Sequence, residues 1–282
     1  MRWIPGGALT SGVDETPSVV SKVLSTRSNP DTVFLDTVVV RIPEESASDL
    51  SGLWAATDET IFSLDTRQVL ATNGLRAGTI IGEIPRPIRE RLDAMADRRS
   101  EDVLEQSGLA ADVNAKTQRL SCRAGRRKEL IVRNVQSDSE AIVTLLNGVL
   151  TGASYVNPTF LFDLRTIPHG DGRATLTLIP EVQHGSHRQS YVSSEFGVRP
   201  ELRRESHTWD ALKIEAKLEP GQILAIAASD PSKSVGQAFF TATTAQQTHE
   251  QVLILLRLSA TQLDDLFAPE IVAQAQSQAE KF

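Results

Sequence analysis

The sequence predicts an α+β protein in which a small mixed α/β module precedes an antiparallel, β-rich module with a C-terminal helix. Three observations predict this class. Apolar runs and short helical patterns are mixed up to residue 98, strict alternation replaces the helical period from residue 117, and the tail is rich in Ala and Gln. We therefore expect a flexible segment over 1–30, an α+β module over 31–98, a linker over 99–116, a β module over 117–260 and a helix over 261–282.

The first module begins with a buried strand. Thr32–Ile42 is dense in β-branched residues, and Pro43 ends it. We next expect a helix capped by Ser46 or Ser48, with Leu50, Leu53 and Trp54 on one face. A second helix is opened by Asp65-Thr66 and stopped by Asn73-Gly74. A strand over Leu75–Ile84 and a helix begun by Pro87 follow. The glycines of this module match neither a P-loop nor a dinucleotide-binding fingerprint.

Strand signals dominate the second module. Thr117–Cys122 and Glu129–Val135 flank Ala124-Gly125 and are typical of a hairpin. Residues 140–150 suit a strand or a helix, and both alternatives stay open. The other strands expected are Pro158–Ile167 and Ala174–Val182 joined by a turn at Asp171-Gly172, then Ala211–Leu218 and Gln222–Ala228 separated by Glu219-Pro220-Gly221, then Ala238–Phe240 and Glu250–Leu258.

Composition excludes several classes of protein. The chain has 282 residues, of which 40% are hydrophobic, so it can bury a core. The 36 acidic residues against 29 basic ones give no electrostatic reason to expect a nucleic-acid surface. The single cysteine, Cys122, excludes an internal disulfide and a multi-Cys zinc site. It lies in an alternating run and is expected to be a strand residue without chemistry, although Arg119 and Arg123 would favour a thiolate.

The N-terminal residues leave two alternatives for the cellular compartment of the protein. No apolar stretch of signal-peptide length follows Met1, and no run approaches the roughly 18 apolar residues of a membrane helix. We expect a cytoplasmic protein, or a protein of the cell envelope or periplasm if an export signal lies upstream. Association with a membrane surface is compatible with the sequence, but a transmembrane segment is not predicted.

Four segments of the second half carry a family resemblance. They are Asp171–Val182, Leu218–Ala227, Val235–Phe240 and Gln251–Arg257. Their order resembles the C-terminal β-domain of bacterial secretins, the ring-forming gate proteins of the outer membrane. In secretins a strand ending in Pro-Glu, a Gly-Gln-Thr turn before an apolar strand, and a final strand follow one another. The first module also looks like uncharacterised proteins of planctomycete genomes.

The resemblance implies protein assembly rather than catalysis. Between Gln222 and Leu258, Asp230-Pro-Ser-Lys and Thr241–His249 replace the glycine- and proline-punctuated loop of a secretin. The sequence also shows no pair of amphipathic strands of the roughly 9–11 residues that a barrel wall needs. A secretin-like module used in scaffolding or assembly is the inference that remains.

Histidines are the candidate metal ligands. His184-Gly-Ser-His187 directly follows a predicted strand, and His169 and His207 lie in the same module. Two histidines three residues apart can chelate a metal on a helix, but Gly185 and Arg188 indicate a turn or a loop, and spacing supplies no third ligand. No nucleophile elbow of the Gly-x-Ser-x-Gly type occurs. We expect no catalytic residue and no cofactor, with His184 and His187 as the metal candidates.

A partner surface is expected in the long polar connection that precedes residue 211, because loops of this length are often functional. Its candidate residues are Phe196, Arg199, Arg203, Arg204 and Trp209, with the two aromatic residues as anchors. The alternative is a solvated loop whose Trp209 only covers a sheet edge. Strand edges at Leu253–Leu258 or Phe160–Ile167 are further candidates for self-association by strand addition.

Three functional hypotheses follow. The first is a non-catalytic structural or assembly protein of the bacterial cell envelope that acts through protein contacts, including contacts between its own copies. The second is a metal-binding protein or enzyme that uses the histidines of the second module. The third is a cytoplasmic adaptor with the same fold.

Overall fold

The computed structural model describes residues 30–46, 48–80, 83–94, 118–135, 139–194, 197–243 and 249–262, with the backbone alone at 190–194, 197–201 and 243. These residues form a mainly antiparallel β-fold with short helices. The strands are β1 (Thr32–Pro43), β2 (Thr57–Asp58), β3 (Leu75–Ile80), β4 (Gln118–Arg123), β5 (Lys128–Asn134), β6 (Ser139–Leu146), β7 (Val149–Val156), β8 (Thr159–Pro168), β9 (Ala174–Ser194), β10 (Gly197–Thr208), β11 (Ile214–Leu218), β12 (Ile223–Ala228), β13 (Thr241–Thr243) and β14 (His249–Gln262).

Short helices lie between the strands. The α-helices of the described residues are α1 (Ser48–Ala55), α2 (Leu64–Thr72), α3 (residues 86–94) and α4 (Ser234–Phe240). Single 3₁₀ turns occur at Glu44–Ser46 and Asp210–Leu212. No helix in the described part of the chain is long and apolar enough to cross a membrane.

Two sheets and one ribbon carry the architecture. The large sheet has seven strands in the order β2-β3-β12-β14-β1-β4, with β13 beside β14. The small sheet has five strands in the order β10-β9-β8-β5, with β11 beside β9. Strands β6 and β7 pair only with each other among the described strands, and we call this pair the ribbon.

The core lies on both faces of the large sheet. Alternate side chains of β14 point in opposite directions, so Val252, Ile254 and Leu256 pack towards the small sheet while Leu253 and Leu255 pack against α1 and α3. Burial on both faces explains why β14 is a continuous apolar run. The large sheet is therefore the middle layer of three.

Many of the elements expected from the sequence are confirmed. Strand β1 ends at Pro43, and α1 buries Leu50, Leu53 and Trp54. The turn at Asp171-Gly172 joins β8 to β9, and Gly172 has a φ of +87°. The cap of α2 lies earlier than expected, because the Ser63 hydroxyl accepts the N–H of Thr66 at 3.1 Å.

Two local expectations are wrong. Strands β4 and β5 form no hairpin with each other: β4 pairs with β1 in the large sheet, and β5 pairs with β8 in the small sheet. The turn at Ala124-Gly125 thus crosses from one layer to the other. Ala238–Phe240 is the end of α4 and not a strand, because its helical turn buries Phe239 and Phe240 against Phe160 and Phe162 at ring distances of 5.1 to 6.2 Å.

The strand edges expected from the sequence are also wrong. Leu253–Leu258 lies in β14, which has β12 on one side and β1 on the other. Phe160–Ile167 lies in β8, which has β5 and β9 as neighbours. Runs as apolar as these are favoured in central strands, where both faces are covered.

The two expected modules share one sheet. Strands β1 and β3 precede the expected linker, whereas β14 and β12, their neighbours in the large sheet, follow it. The expected linker over 99–116 lies outside the described residues, as do residues 1–29 of the expected flexible segment over 1–30. Of the expected C-terminal helix over 261–282, Thr261 and Gln262 belong to β14, and the rest lies outside the described residues.

A buried ion cluster lies on the face of the small sheet that points away from the core. Glu181 is fully buried, and its Oε1 accepts hydrogen bonds from Arg127 Nη2 at 2.8 Å and Gln183 Nε2 at 3.5 Å, while its Oε2 has no partner. Asp163, also buried, is held by Arg165 at 3.0 Å. Arg127 is therefore a structural residue of this cluster, with Glu129 as its second ion-pair partner at 2.9 Å.

Candidate functional site

The polar connection expected before residue 211 is a β-hairpin. Beyond Gln183, β9 leaves β8 and pairs with β10 alone among the described strands. We call residues 184–194 and 197–205 the arm. The expectation of a loop over Arg199–Arg204 is wrong, because this stretch belongs to β10, which pairs with β9. The backbone groups of a two-stranded hairpin that do not bond across it can bond to water.

A cleft of about 630 Å³ lies between the ribbon and the base of the arm. On the ribbon side it is lined by Ile142, Thr144, Thr151, Gly152, Ala153, Ser154 and Tyr155, and on the arm side by His184, Glu205, Ser206, His207 and Trp209. Clefts of this size hold small ligands or short peptide segments.

An aromatic cluster forms the floor of the cleft. Tyr155 and Trp209 are buried, with 5% and 3% of their surfaces exposed, and their ring centroids lie 6.1 Å apart at an angle of 78°. The imidazole rings of His184 and His207 lie 5.0 and 6.0 Å from the Tyr155 ring. Trp209 in turn contacts Phe239 of α4 at 6.0 Å, so the floor is continuous with the main core.

Turn chemistry and strand register bring these rings together. Asn147 and Gly148 both have positive φ angles, 51° and 76°, as a two-residue type I′ hairpin turn requires. This turn sets the register of β6 against β7 and directs Tyr155 inward. On the other wall, His184 pairs with Glu205 and Val182 with His207, so His184, Glu205 and His207 share one face of the small sheet.

Only some of the polar groups around the cleft make hydrogen bonds or ion pairs within the described residues. Burial raises the pKa of the Tyr155 phenol, so its hydroxyl keeps its proton and can donate a hydrogen bond. Thr144 and Thr151 share a hydrogen bond of 2.9 Å, and Glu205 pairs with Arg188 at 2.5 Å. Within the described residues, the rings of Tyr155, His184 and His207 make ring contacts and no hydrogen bond.

His184 and His187, the metal candidates of the sequence, do not converge. Both lie in β9 and not in a turn. Between the strand pairs His184–Glu205 and Arg188–Arg203, β9 has three residues where β10 has only Arg204, which is a β-bulge. This bulge, with Gly185 at a φ of +71°, directs His187 to a second depression of about 470 Å³. Within the described residues, no group of three His, Cys, Asp or Glu side chains could hold a metal ion.

The expected partner residues are dispersed by the structure. Trp209 is a core residue and not an exposed anchor, while Arg203 is exposed on the arm. Arg204 is turned inward, donating to the Gly185 carbonyl at 3.0 Å, to Thr159 Oγ1 at 2.9 Å and to the Asn157 carbonyl. Arg199 is placed in β10 by its backbone, and Phe196 lies outside the described residues.

The outward face of the ribbon is a surface that sequence reasoning missed. Its large side chains, which are between 39% and 69% exposed, are Val143, Leu145, Leu150 and Val156. The remaining residues of this face are Ser139, Ala141, Gly152 and Ser154, so it carries no charge. Asn147-Gly148 inside the ambiguous segment 140–150 was the available signal, because this dipeptide favours a hairpin and alternation then fixes the two faces.

Cys122 is a buried strand residue, as expected. Burial raises the pKa of its thiol to about 11, which outweighs the opposing effect of Lys128. A thiolate is therefore disfavoured at neutral pH, and the neighbouring arginines do not change this.

Comparisons with protein-family models, with curated proteins and with solved structures found no match to this chain.

Proposed function

We propose that this chain is a non-catalytic structural or assembly protein that works through protein contacts, and that its contact surface is the outward face of the ribbon. The observation that carries the proposal is an uncharged face with four exposed aliphatic side chains on two adjacent strands. Scattered exposed aliphatic residues need no explanation, whereas four of them on one uncharged face favour a contact with another protein.

Lack of charge makes this face complementary to itself. In a two-fold dimer each patch contacts the same patch of the second copy, so like charges would repel, and here none are present. Eight residues in each of two strands cover about 26 Å by 10 Å, or roughly 250 Å². A stable interface needs about 800 Å² from each partner, so we expect weak, concentration-dependent self-association through this face.

The secretin resemblance supports an assembly role in the cell envelope. Its segments correspond to regular elements: Asp171–Val182 is the β8–β9 turn and the start of β9, Leu218–Ala227 leads into β12, and Gln251–Arg257 lies in β14. Val235–Phe240 differs, because it is helical. Assembly in the envelope is part of this proposal and depends on an export signal upstream of the sequence.

The experiment measures solution mass by light scattering over a concentration series. Wild-type protein should increase in mass with concentration, and Leu150→Lys should not, because it places a charge on the apolar face, opposite Leu145. Leu202→Lys is the matched control, since Leu202 is equally exposed, at 70% against 69%, but lies on the arm. A wild-type monomer at every concentration, or equal loss in both variants, would overturn the proposal.

A histidine-dependent metal-binding protein or enzyme is the second candidate function, favoured by one observation. His184 and His207 line the same cleft, and both rings lie within 6.0 Å of the Tyr155 ring. Titration with Zn²⁺ tests it by calorimetry: equimolar binding that is lost in His184→Ala and in His207→Ala would favour this function, and no binding heat would reject it.

A further inference from the structure

One edge of strand β7, the edge beside the cleft, has no strand partner within the described residues. Leu146 and Val149 close a two-residue turn, so the pairs 146/149, 144/151, 142/153 and 140/155 exchange backbone hydrogen bonds. The backbone N–H and C=O groups of the intervening residues, which include Gly152 and Ser154, point away from β6. Among the described strands, β6 is the only one that pairs with β7.

The other edge of the ribbon, on β6, is blocked at one position. On β6, the outward N–H and C=O of Leu145 are both bonded to the side-chain amide of Asn73, at 2.9 and 3.0 Å. Asn73 thus takes the place that a neighbouring strand would fill at this position. Extension of the ribbon is therefore directed to β7.

The cleft reaches the edge of β7 and not only one of its faces. Five consecutive residues, Thr151 to Tyr155, line it, whereas a strand seen from one face would contribute only alternate residues. Glu205, Ser206 and His207 of β10 are also consecutive and form the opposite wall. An extended segment lying between these walls would meet backbone on one side and aromatic rings below.

Strand β7 lacks the features that protect exposed edges. Its sequence, Val149–Val156, contains no Lys, no Pro and no charged residue, and its register with β6 shows no bulge. Native edge strands commonly carry such features because an unprotected edge pairs with other strands.

We propose that the cleft receives an extended, uncharged segment of a partner protein, which adds to the free edge of β7 as a strand and places an apolar or aromatic side chain against the rings of His184 and His207, which contact Tyr155 and Trp209. This inference rests on the proposed function in that both assign protein contacts to the ribbon. It uses a different surface, since the outward face carries the self-association and the edge of β7 carries the peptide.

A single segment fits this cleft better than a second copy of the chain. Five residues in extended conformation span about 17 Å, which matches the five residues of β7 that line the cleft. A second copy would approach β7 with both strands of its ribbon, while the wall formed by Glu205 to His207 stands opposite. Strand β7 carries no charge, and Glu205 of the opposite wall is already paired with Arg188, so the cleft offers no unpaired carboxylate to a charged segment and an uncharged one is expected.

Gly152 allows a sharp test. Gly152→Pro removes an N–H that points away from β6, so the pairing of the ribbon is kept while its outer edge is blocked. Gly152→Ala is the matched control: it keeps the N–H, and its added Cβ meets only ordinary contacts, with Val143 Cγ2 at 3.6 Å.

The probe is a fluorescently labelled, amidated peptide, Thr-Val-Thr-Trp-Thr-Val-Thr, measured by anisotropy with the full chain. Further peptides replace Trp by Phe, Leu or Lys, and one carries N-methyl groups on alternate residues and cannot donate to a strand edge. We expect the Trp, Phe and Leu peptides to bind wild type and Gly152→Ala alike, and Gly152→Pro about tenfold more weakly, the effect of losing about one hydrogen bond. The N-methylated and Lys peptides should bind wild type at least as weakly as the Trp peptide binds Gly152→Pro.

Several outcomes would overturn the inference. The first is that no peptide binds at millimolar concentration, and the second is that Gly152→Pro binds the Trp peptide as tightly as wild type does. The third is that wild type binds the N-methylated peptide as tightly as the unmodified one. This last comparison needs no variant, so it decides the question even if Gly152→Pro fails to fold. Self-association that is abolished by Gly152→Pro but kept by Gly152→Ala, without peptide, would assign the edge to a second copy instead, since both variants add atoms to the outward face on which Gly152 lies. Leu150→Lys separates the two proposals, because it should lose self-association and keep peptide binding.

Discussion

The side-chain amide of Asn73 pairs with the backbone of Leu145, which lies 72 residues further along the chain. Asn73 Nδ2 donates to the Leu145 carbonyl at 3.0 Å, and Asn73 Oδ1 accepts the Leu145 N–H at 2.9 Å. Nδ2 also donates to the Val69 carbonyl of α2, and Oδ1 accepts the Ser234 hydroxyl of α4 at 3.3 Å. One fully buried side chain thus joins α2, the ribbon and α4.

Asn73→Ala should destabilise the protein by about 2–3 kcal/mol. The variant removes both bonds to Leu145 and leaves buried backbone groups without partners. Urea denaturation followed by circular dichroism measures the loss. Thr72→Ala is the control, because its exposed hydroxyl bonds only to the Gln68 carbonyl, and its effect should stay within about 0.5 kcal/mol. Equal effects of the two variants would contradict a special role for Asn73.

Gly236→Ala should be among the most damaging single-methyl additions in the chain. A Cβ at Gly236 would lie 1.9 Å from the Gly74 carbonyl oxygen, and backbone cannot move aside as a side chain can. We expect a loss of about 3 kcal/mol from overpacking. Gly52→Ala is the matched control, since it is also helical and meets nothing within 4 Å, so it should be neutral or stabilising by up to about 1 kcal/mol. Thermal unfolding of the two variants checks the contrast.

Arg127→Met should cost about 3 kcal/mol of unfolding free energy. Glu181 is fully buried, and the variant leaves its carboxylate with the Gln183 amide as its remaining partner. Lys213→Met is the control, because Lys213 and its ion-pair partner Glu215 are both about half exposed, so its loss should stay below about 1 kcal/mol. Urea midpoints at neutral pH measure both, and a ranking in the opposite order would argue against the structural role of Arg127.

Cys122 should resist alkylation in the folded protein. Burial raises its pKa to about 11, so the folded chain keeps the thiol proton up to a higher pH than the unfolded chain, whose thiol has a pKa of about 9. The unfolded state therefore binds fewer protons between pH 9 and 11, and the contribution of this thiol to stability is present below pH 9 and lost across that range. Iodoacetamide at pH 8 should label the protein only in urea.

The pH dependence has its own control. Cys122→Ala removes the titrating thiol, so the difference in unfolding free energy between wild type and variant should shrink as the pH rises from 9 to 11. A difference that stays constant over this interval would show that the thiol does not titrate differently in the two states.

Local elements were predictable where one local signal was strong. The β-branched run of β1, the apolar face of α1 and the Asp171-Gly172 turn are each decided by residues a few positions apart. Ala238–Phe240 was misread because a short apolar run suits a buried strand and a buried helix equally. Its helix is stabilised by Phe160 and Phe162, which lie more than 70 positions away in the sequence.

The candidate site was less predictable than the fold. The spacing of His184 and His187 suggested a pair, but the bulge at Gly185 separates them, and His184 instead shares a cleft with His207. That partnership depends on the register of β9 against β10. Register cannot be read from either strand alone, because a shift by one residue would turn every side chain to the opposite face.

The sequence by itself determined the identity of many elements, the presence of a sizeable core and the lack of charge on β7, since these depend on composition and on neighbours within a few positions. Only the tertiary structure decided that β8 and β14 are central strands and that β1 and β3 share a sheet with β12 and β14. It also decided that one edge of β7 has no neighbour among the described strands, while Asn73 bonds to the outward groups of Leu145 on β6. The physical reason is that strand pairing joins residues that are far apart in the chain. The hydrogen bonds between strands are made by backbone groups, which nearly all residues share, so the sequence pattern does not specify which strands pair.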